Sequence, residues 1–123
     1  MRLRHKSISV LNLERSVAFY RKALGLREDS RMQAPDGSFV IATLGDGGRR
    51  PFHQLELTWL RDQAGPYELG ENEDLIAFEA GDYEAARTLH KQMDCICYEN
   101  KKTGVYFICD PDGYWIEILP KKA

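Results

Sequence analysis

Asp110-Pro111-Asp112-Gly113-Tyr114-Trp115-Ile116-Glu117 contains a tight turn and the strand that leaves it. Pro111 presets φ and Gly113 tolerates a positive one, so Asp-Pro-Asp-Gly reverses the chain and fixes where the strand begins. From there the pleat alternates, with Tyr114, Ile116 and Ile118 on one face and Trp115, Glu117 and Leu119 on the other. A glutamate held mid-strand beside a tryptophan is either part of a solvated outer face or a working group in a cleft. The rest of the chain bears on that choice.

Working back to the start, His5 to Leu11 alternates as a strand, with Ile8 and Val10 on one face and His5, Ser7 and Ser9 on the other. Asn12 has the character of a helix N-cap. Leu13, Val17, Tyr20 and Leu24 then recur at helical spacing, Phe19 and Ala23 widen the stripe, and Gly25 stands where a left-handed C-terminal residue belongs. A polar stretch with Pro35-Asp36-Gly37 leads to a strand at 38–44. After Gly45-Asp46-Gly47-Gly48, a second strand runs over 52–59, with Leu55, Leu57 and Trp59 on one face and Gln54, Glu56 and Thr58 on the other. Glu56 is a second mid-strand carboxylate.

Residues 61–73 are polar and connect two halves. The second half repeats the first: a strand at 75–80, Asp82 as N-cap, and a helical stripe of Ala85, Ala86, Leu89 and Met93. Strands follow around 95–98 and 105–109, and the last one carries Glu117. The order is β-α-β-β-β twice, with Asn12 and Asp82 seventy residues apart. Neither half buries enough alone, so the expected architecture is a single α+β domain over 1–123. Its two βαβββ modules, about 1–62 and 72–123, form a curved, cleft-like sheet with the helices outside.

Composition narrows the function classes. Hydrophobic residues make up 43% and charged residues 29% of 123, with a net charge of −2 and scattered lysines and arginines. That balance offers no field for nucleic acid, and no apolar run approaches the roughly 18 residues of a membrane span. The opening Met1-Arg2-Leu3-Arg4-His5 lacks the apolar core of a signal peptide, so the cytoplasm is the expected compartment. Cys95, Cys97 and Cys109 are odd in number and lie in apolar strands, which reads as core thiols rather than a disulfide framework or a Cys-X-Cys metal pair.

The repeat gives the polar residues their meaning. His5 on the opening strand and Glu56 on the closing strand of the first half share a face, and Glu117 closes the second. His5 lies seven residues before its cap, and seven before Asp82 is Leu75. Three of four equivalent positions therefore carry ligand-type side chains. Imidazole with carboxylates suits a divalent metal such as Zn²⁺, Ni²⁺, Mn²⁺ or Fe²⁺.

These segments resemble the vicinal oxygen chelate superfamily, and within it bacterial glyoxalase I. The resemblance rests on Met1 to His5, Leu13-Glu14-Arg15-Ser16 with Phe19-Tyr20 and Leu24-Gly25, Leu55-Glu56-Leu57-Thr58, Tyr67-Glu68-Leu69-Gly70, and Asp110 to Tyr114 with Ile116-Glu117. It implies a divalent metal, Ni²⁺ or Zn²⁺ first, on His5, Glu56 and Glu117, and a homodimer with a site shared between subunits. It also implies isomerisation of the hemithioacetal of methylglyoxal and glutathione, a small-molecule substrate, with Glu117 moving the proton and Glu56 as ligand or partner base. Ser9, Thr58, Phe107 and Trp115 are the expected substrate contacts.

Two positions depart from the family pattern. Its second histidine falls on Leu75, which cannot coordinate a metal. Its glutathione-gripping arginine and asparagine fall on Ser9 and Leu60. Three protein ligands and water form a common catalytic arrangement. Asp74 faces away from Leu75, whereas Glu73 and Glu79 share its face at about 7 and 13 Å along the strand. The alternative is a non-enzymatic ligand-binding protein of the same fold with a degenerate metal site. An enzyme of the superfamily acting on another substrate, by epimerisation, oxygenation or thiol transfer to an epoxide, is a third reading. His53 and His90 read as structural or solvated.

Overall fold

The computed structural model describes residues 5–47, 54–67 and 76–121. The chain divides into two compact units, residues 1–67 and 68–123. The first holds β1 (His5–Val10), α1 (Leu13–Leu24), β2 (Arg27–Gln33), β3 (Phe39–Gly45) and β4 (Gln54–Leu60). In the second are β5 (Ile76–Ala80), α2 (Tyr83–Gln92), β6 (Ile96–Glu99), β7 (Tyr106–Cys109) and β8 (Trp115–Pro120). Each unit is one four-stranded sheet with a helix, ordered β1-β4-β3-β2 and β5-β8-β7-β6, so the two are topological copies. In each, the first and last strands run parallel and the other neighbours antiparallel.

Local chemistry explains the element boundaries. The Asn12 side chain accepts from the Arg15 backbone N–H at 3.0 Å and Asp82 from Ala85 at 3.1 Å, so both helices start at a capped turn. Gly25 closes α1 at φ 68°, a conformation a side chain would strain. The turn before β8 is held by one buried carboxylate. Asp110 Oδ1 accepts the backbone N–H groups of Asp112 and Tyr114, each at 2.9 Å, while Gly113 takes φ 90°.

Leu13, Val17, Tyr20 and Ala23 of α1 are buried, as are Ile8, Val10, Ala42, Leu44, Leu55 and Leu57 on one face of the first sheet. In the second unit Tyr106, Ile108, Ile116 and Ile118 form the equivalent face. Burying each such Leu or Ile contributes about 1.5–3 kcal/mol, enough in sum to hold the register.

Three expectations from the sequence need correction. The βαβββ order requires one more strand in the first half than the pattern assigns, and the polar stretch after Gly25 supplies it as β2, seven residues exposed along their whole length. Arg27, Glu28 and Asp29 hide it from apolar periodicity, and pairing with β3 supplies the order. In α2, Ala85 is exposed, while Ala86, Leu89 and Met93 of the expected stripe are half-buried with Tyr83, and His90 is buried. His90 is 1% exposed and its Nδ1 lies 2.8 Å from the Tyr106 hydroxyl. Cys97 is no core thiol: it is exposed on the edge strand β6, where its Sγ lies 3.5 Å from the Phe107 carbonyl oxygen.

Burial, then the nearby Tyr83, raises the Tyr106 hydroxyl to about 12. An acid held neutral in this way contributes stability that is complete below pH 10, where the unfolded tyrosine begins to ionise, and lost as pH climbs to about 12. Absorbance titration at 295 nm is expected to show one tyrosine ionising late, and Tyr106→Phe to remove that component. The same variant withdraws the hydroxyl that meets His90 and is expected to cost about 1–3 kcal/mol in denaturant unfolding at pH 8.

The Cys97 thiol is pushed up to about 12, first by partial desolvation of its sulfur where it lies along β7 and next by a hydrogen bond with Cys109. Alkylation by iodoacetamide at pH 7.5 is therefore expected to be roughly a hundredfold slower than for an ordinary thiol, and to accelerate up to high pH. Labelling followed by peptide mass spectrometry reads this directly.

Candidate functional site

The face of each sheet turned away from its buried residues carries the polar side chains singled out above. In the first unit the register aligns Ser7, Glu56, Thr43 and Ser30 in one row across β1, β4, β3 and β2. The next row is Ser9, Thr58, Ile41 and Met32. Glu56 thus stands among hydroxyls, half-buried, and accepts a hydrogen bond from Ser7 Oγ at 2.9 Å. Ser9 and Thr58, the expected substrate contacts of this unit, are direct partners one row further along. His5 lies on β1 two residues before Ser7 and pairs with Gln54; its side chain is outside the described ones.

The second unit repeats the layout with different chemistry. Its row across β5, β8, β7 and β6 reads Ala77, Glu117, Phe107 and Tyr98. Glu117 therefore occupies the place that Glu56 occupies in the first unit, as the repeat in the sequence implied. Its neighbours are a methyl group and an aromatic ring. Trp115 packs on Phe107 with ring centroids 5.5 Å apart, and Tyr98 lies 6.1 Å from Phe107 on the other side. The two expected aromatic contacts are thus part of a row of three, of which Tyr98 is 53% exposed.

Counting back two residues from Ala77, as His5 counts back from Ser7, reaches Leu75, which lies outside the described residues, as do Glu73, Asp74, His53 and Leu69. Among the described residues no three His, Cys, Asp or Glu side chains gather into a group that could hold a metal ion within one unit. No helix among them is long and apolar enough to cross a membrane. Two clefts are bordered by neither Glu56 nor Glu117. One of about 370 Å³ is bordered by Asn12, Glu14, Arg31 and Trp59, and another of about 220 Å³ by Tyr83, Arg87, Glu99 and Lys101.

Ser7 and Tyr98 were missed by sequence reasoning for different reasons. Ser7 shares its strand face with His5 and Ser9, so a signal existed, but only the parallel register shows that it stands opposite Glu56. Tyr98 is displaced by a bulge between Ile96 and Tyr98, and simple alternation from Ile96 cannot place it beside Phe107.

The likeness of this arrangement to known proteins is extensive. A family model described as the Glyoxalase/Bleomycin resistance protein/Dioxygenase superfamily matches residues 2–118. The lactoylglutathione lyase of Neisseria meningitidis serogroup A is 37% identical over all of this chain and 93% of its own length. That of Escherichia coli O157:H7 is 32% identical over 99% of this chain and 94% of its own. Among solved structures, the trypanothione-dependent glyoxalase I of Leishmania major superposes with a TM-score of 0.86 and 30% identity. The match covers 98% of this chain and 86% of that one. Two βαβββ units with matching glutamates, a family match over nearly the whole chain and relatives at this identity establish that the chain belongs to the glyoxalase, bleomycin resistance protein and dioxygenase superfamily.

Proposed function

We propose that this glyoxalase I-like lyase converts the hemithioacetal of methylglyoxal and glutathione to the lactoyl thioester, at a divalent-metal centre built from His5, Glu56 and Glu117. The observation that carries the reading is the equivalence of the two rows. Each four-stranded sheet presents one mid-strand glutamate, at the same register position, on the face opposite its buried core. The donor set fits the group: one imidazole and two carboxylates suit Ni²⁺, Zn²⁺ or a similar borderline ion, and three protein donors leave room for substrate. Glu56 has a hydroxyl partner of the kind that orients a ligating carboxylate, and Glu117 stands on a rigid strand beside rings that exclude water. When bound, such an ion would polarise the substrate's vicinal oxygens and make the intervening C–H acidic.

The protein's own groups account for the rest. Glu117 takes the proton from the thiol-bearing carbon and returns it to the adjacent carbon, and the hydroxyl's own proton passes to the former ketone oxygen, so the hydroxyl carbon becomes the thioester carbonyl and the former ketone becomes the secondary alcohol. No atom is gained or lost. Phe107 and Trp115 wall the reacting carbons from water, which keeps the carbanionic species from protonation by solvent. Ser9 and Thr58 offer hydroxyls to the polar part of the thiol. The working unit is a homodimer with ligands contributed across subunits, placed in the cytoplasm, and these assignments rest on the family's pattern.

A second reading is favoured by Leu75 and the aromatic row. Leucine in place of a ligand and three neighbouring rings suit a protein that sequesters a flat apolar molecule without chemistry. Ser9 and Leu60 likewise favour a thiol other than glutathione. Steady-state assays on protein reconstituted with Ni²⁺, Co²⁺, Mn²⁺ or Zn²⁺, using hemithioacetals of glutathione and of a smaller thiol, separate the three. Metal-dependent turnover is expected, with Glu117→Gln lowering kcat by about 10²–10⁴-fold in a protein that remains folded. Turnover unchanged in that variant would remove Glu117 from the chemistry.

A further inference from the structure

The two glutamates occupy matching places but keep unlike company. Ser7 Oγ donates to Glu56 Oε2 at 2.9 Å, from the residue directly opposite on the parallel neighbour β1. On the other side of Glu56 stands Thr43, and beyond it Ser30. The residue opposite Glu117 on β5 is Ala77, which has no hydroxyl to give, and its other neighbour is Phe107. Among the described residues no hydrogen bond or ion pair holds the Glu117 side chain.

From this contrast we infer that Ser7 is a positioning residue that fixes Glu56 as the anchoring carboxylate of the centre, while Ala77 at the matching place leaves Glu117 able to move as the proton carrier. The inference rests on the metal-centre reading above and deepens it. A glutamate side chain has three rotatable bonds, and ordering it costs free energy each time it must meet a partner. A hydroxyl-to-carboxylate bond is charge-assisted and sets the plane of the carboxylate before any ion arrives. A ligand that must stay wants this. A base that must reach one carbon and then the next is hindered by it, because each excursion would break the bond. The exchange of serine for alanine directly opposite the glutamate, alongside Thr43 against Phe107 on the other side, thus divides the labour between two carboxylates at matching places.

The experiment is calorimetric titration of apo-protein with Ni²⁺, run beside steady-state kinetics, on wild type, Ser7→Ala, Ser7→Thr and Ala77→Ser. Both positions are exposed, so far-UV circular dichroism and thermal melts should match wild type. Ser7→Ala is expected to bind Ni²⁺ about 10–100-fold more weakly, the usual effect of losing a group that orients a metal ligand, and Ser7→Thr to restore binding because it keeps the hydroxyl. Ala77→Ser is expected to leave Ni²⁺ affinity at or above wild type while lowering kcat about tenfold, because it gives Glu117 a tether. Wild-type binding with Ser7→Ala within twofold of it would overturn the assignment of Ser7 and leave the metal centre standing. A wild-type protein that retains no Ni²⁺ would overturn the metal-centre reading itself and the role of Ser7 with it.

Discussion

Everything in the candidate site depends on two strands being buried on one face only. Leu55 and Leu57 of β4, and Ile116 and Ile118 of β8, are between 0 and 4% exposed. Together they fix which residues of their strands point inward. A slip of one residue would expose four large aliphatic side chains, at about 1.5–3 kcal/mol each, and would bury Glu56 and Glu117 in hydrocarbon. The glutamates are therefore placed by packing that has nothing to do with their chemistry. The scaffold can hold two carboxylates at rigid, reproducible positions while the residues around them vary.

That variation distinguishes the units. The rows Ser7–Glu56–Thr43–Ser30 and Ala77–Glu117–Phe107–Tyr98 share backbone pairing and differ in nearly every other side chain. Hydroxyls in one row give its carboxylate a hydrogen-bond donor. A methyl group and rings in the other give its carboxylate none. Duplication thus supplies a symmetric frame, and substitution within equivalent rows supplies the asymmetry between them. Leu75 belongs to the same pattern of divergence, since the second unit has an apolar residue where the first has His5.

How much of this was legible in the sequence follows from which signals are local. The caps at Asn12 and Asp82, the left-handed Gly25 and the Asp110 turn are written in residue type. Alternation on β4 and β8 likewise assigned Glu56 and Glu117 to the faces they occupy. Strand β2 was illegible because a strand exposed along its length carries no period of two, and its order comes from β3 alone. For His90 the sequence leaves a structural and a solvated role open, and its contact with Tyr106 makes it structural. Ser7 and Tyr98 depend on register and on a bulge, which are relations between strands rather than properties of either one.

The central claim is that one imidazole and two carboxylates of this chain bind a divalent ion without a fourth protein ligand. X-ray absorption spectroscopy of the Ni²⁺-loaded protein tests it most directly, because the outer-shell scattering of imidazole counts histidines and the first shell distinguishes oxygen, nitrogen and sulfur. The account predicts one imidazole, oxygen donors for the remainder and no sulfur, with the imidazole signal lost in His5→Ala. Two imidazoles, a sulfur shell, or a spectrum unchanged in His5→Ala would contradict it.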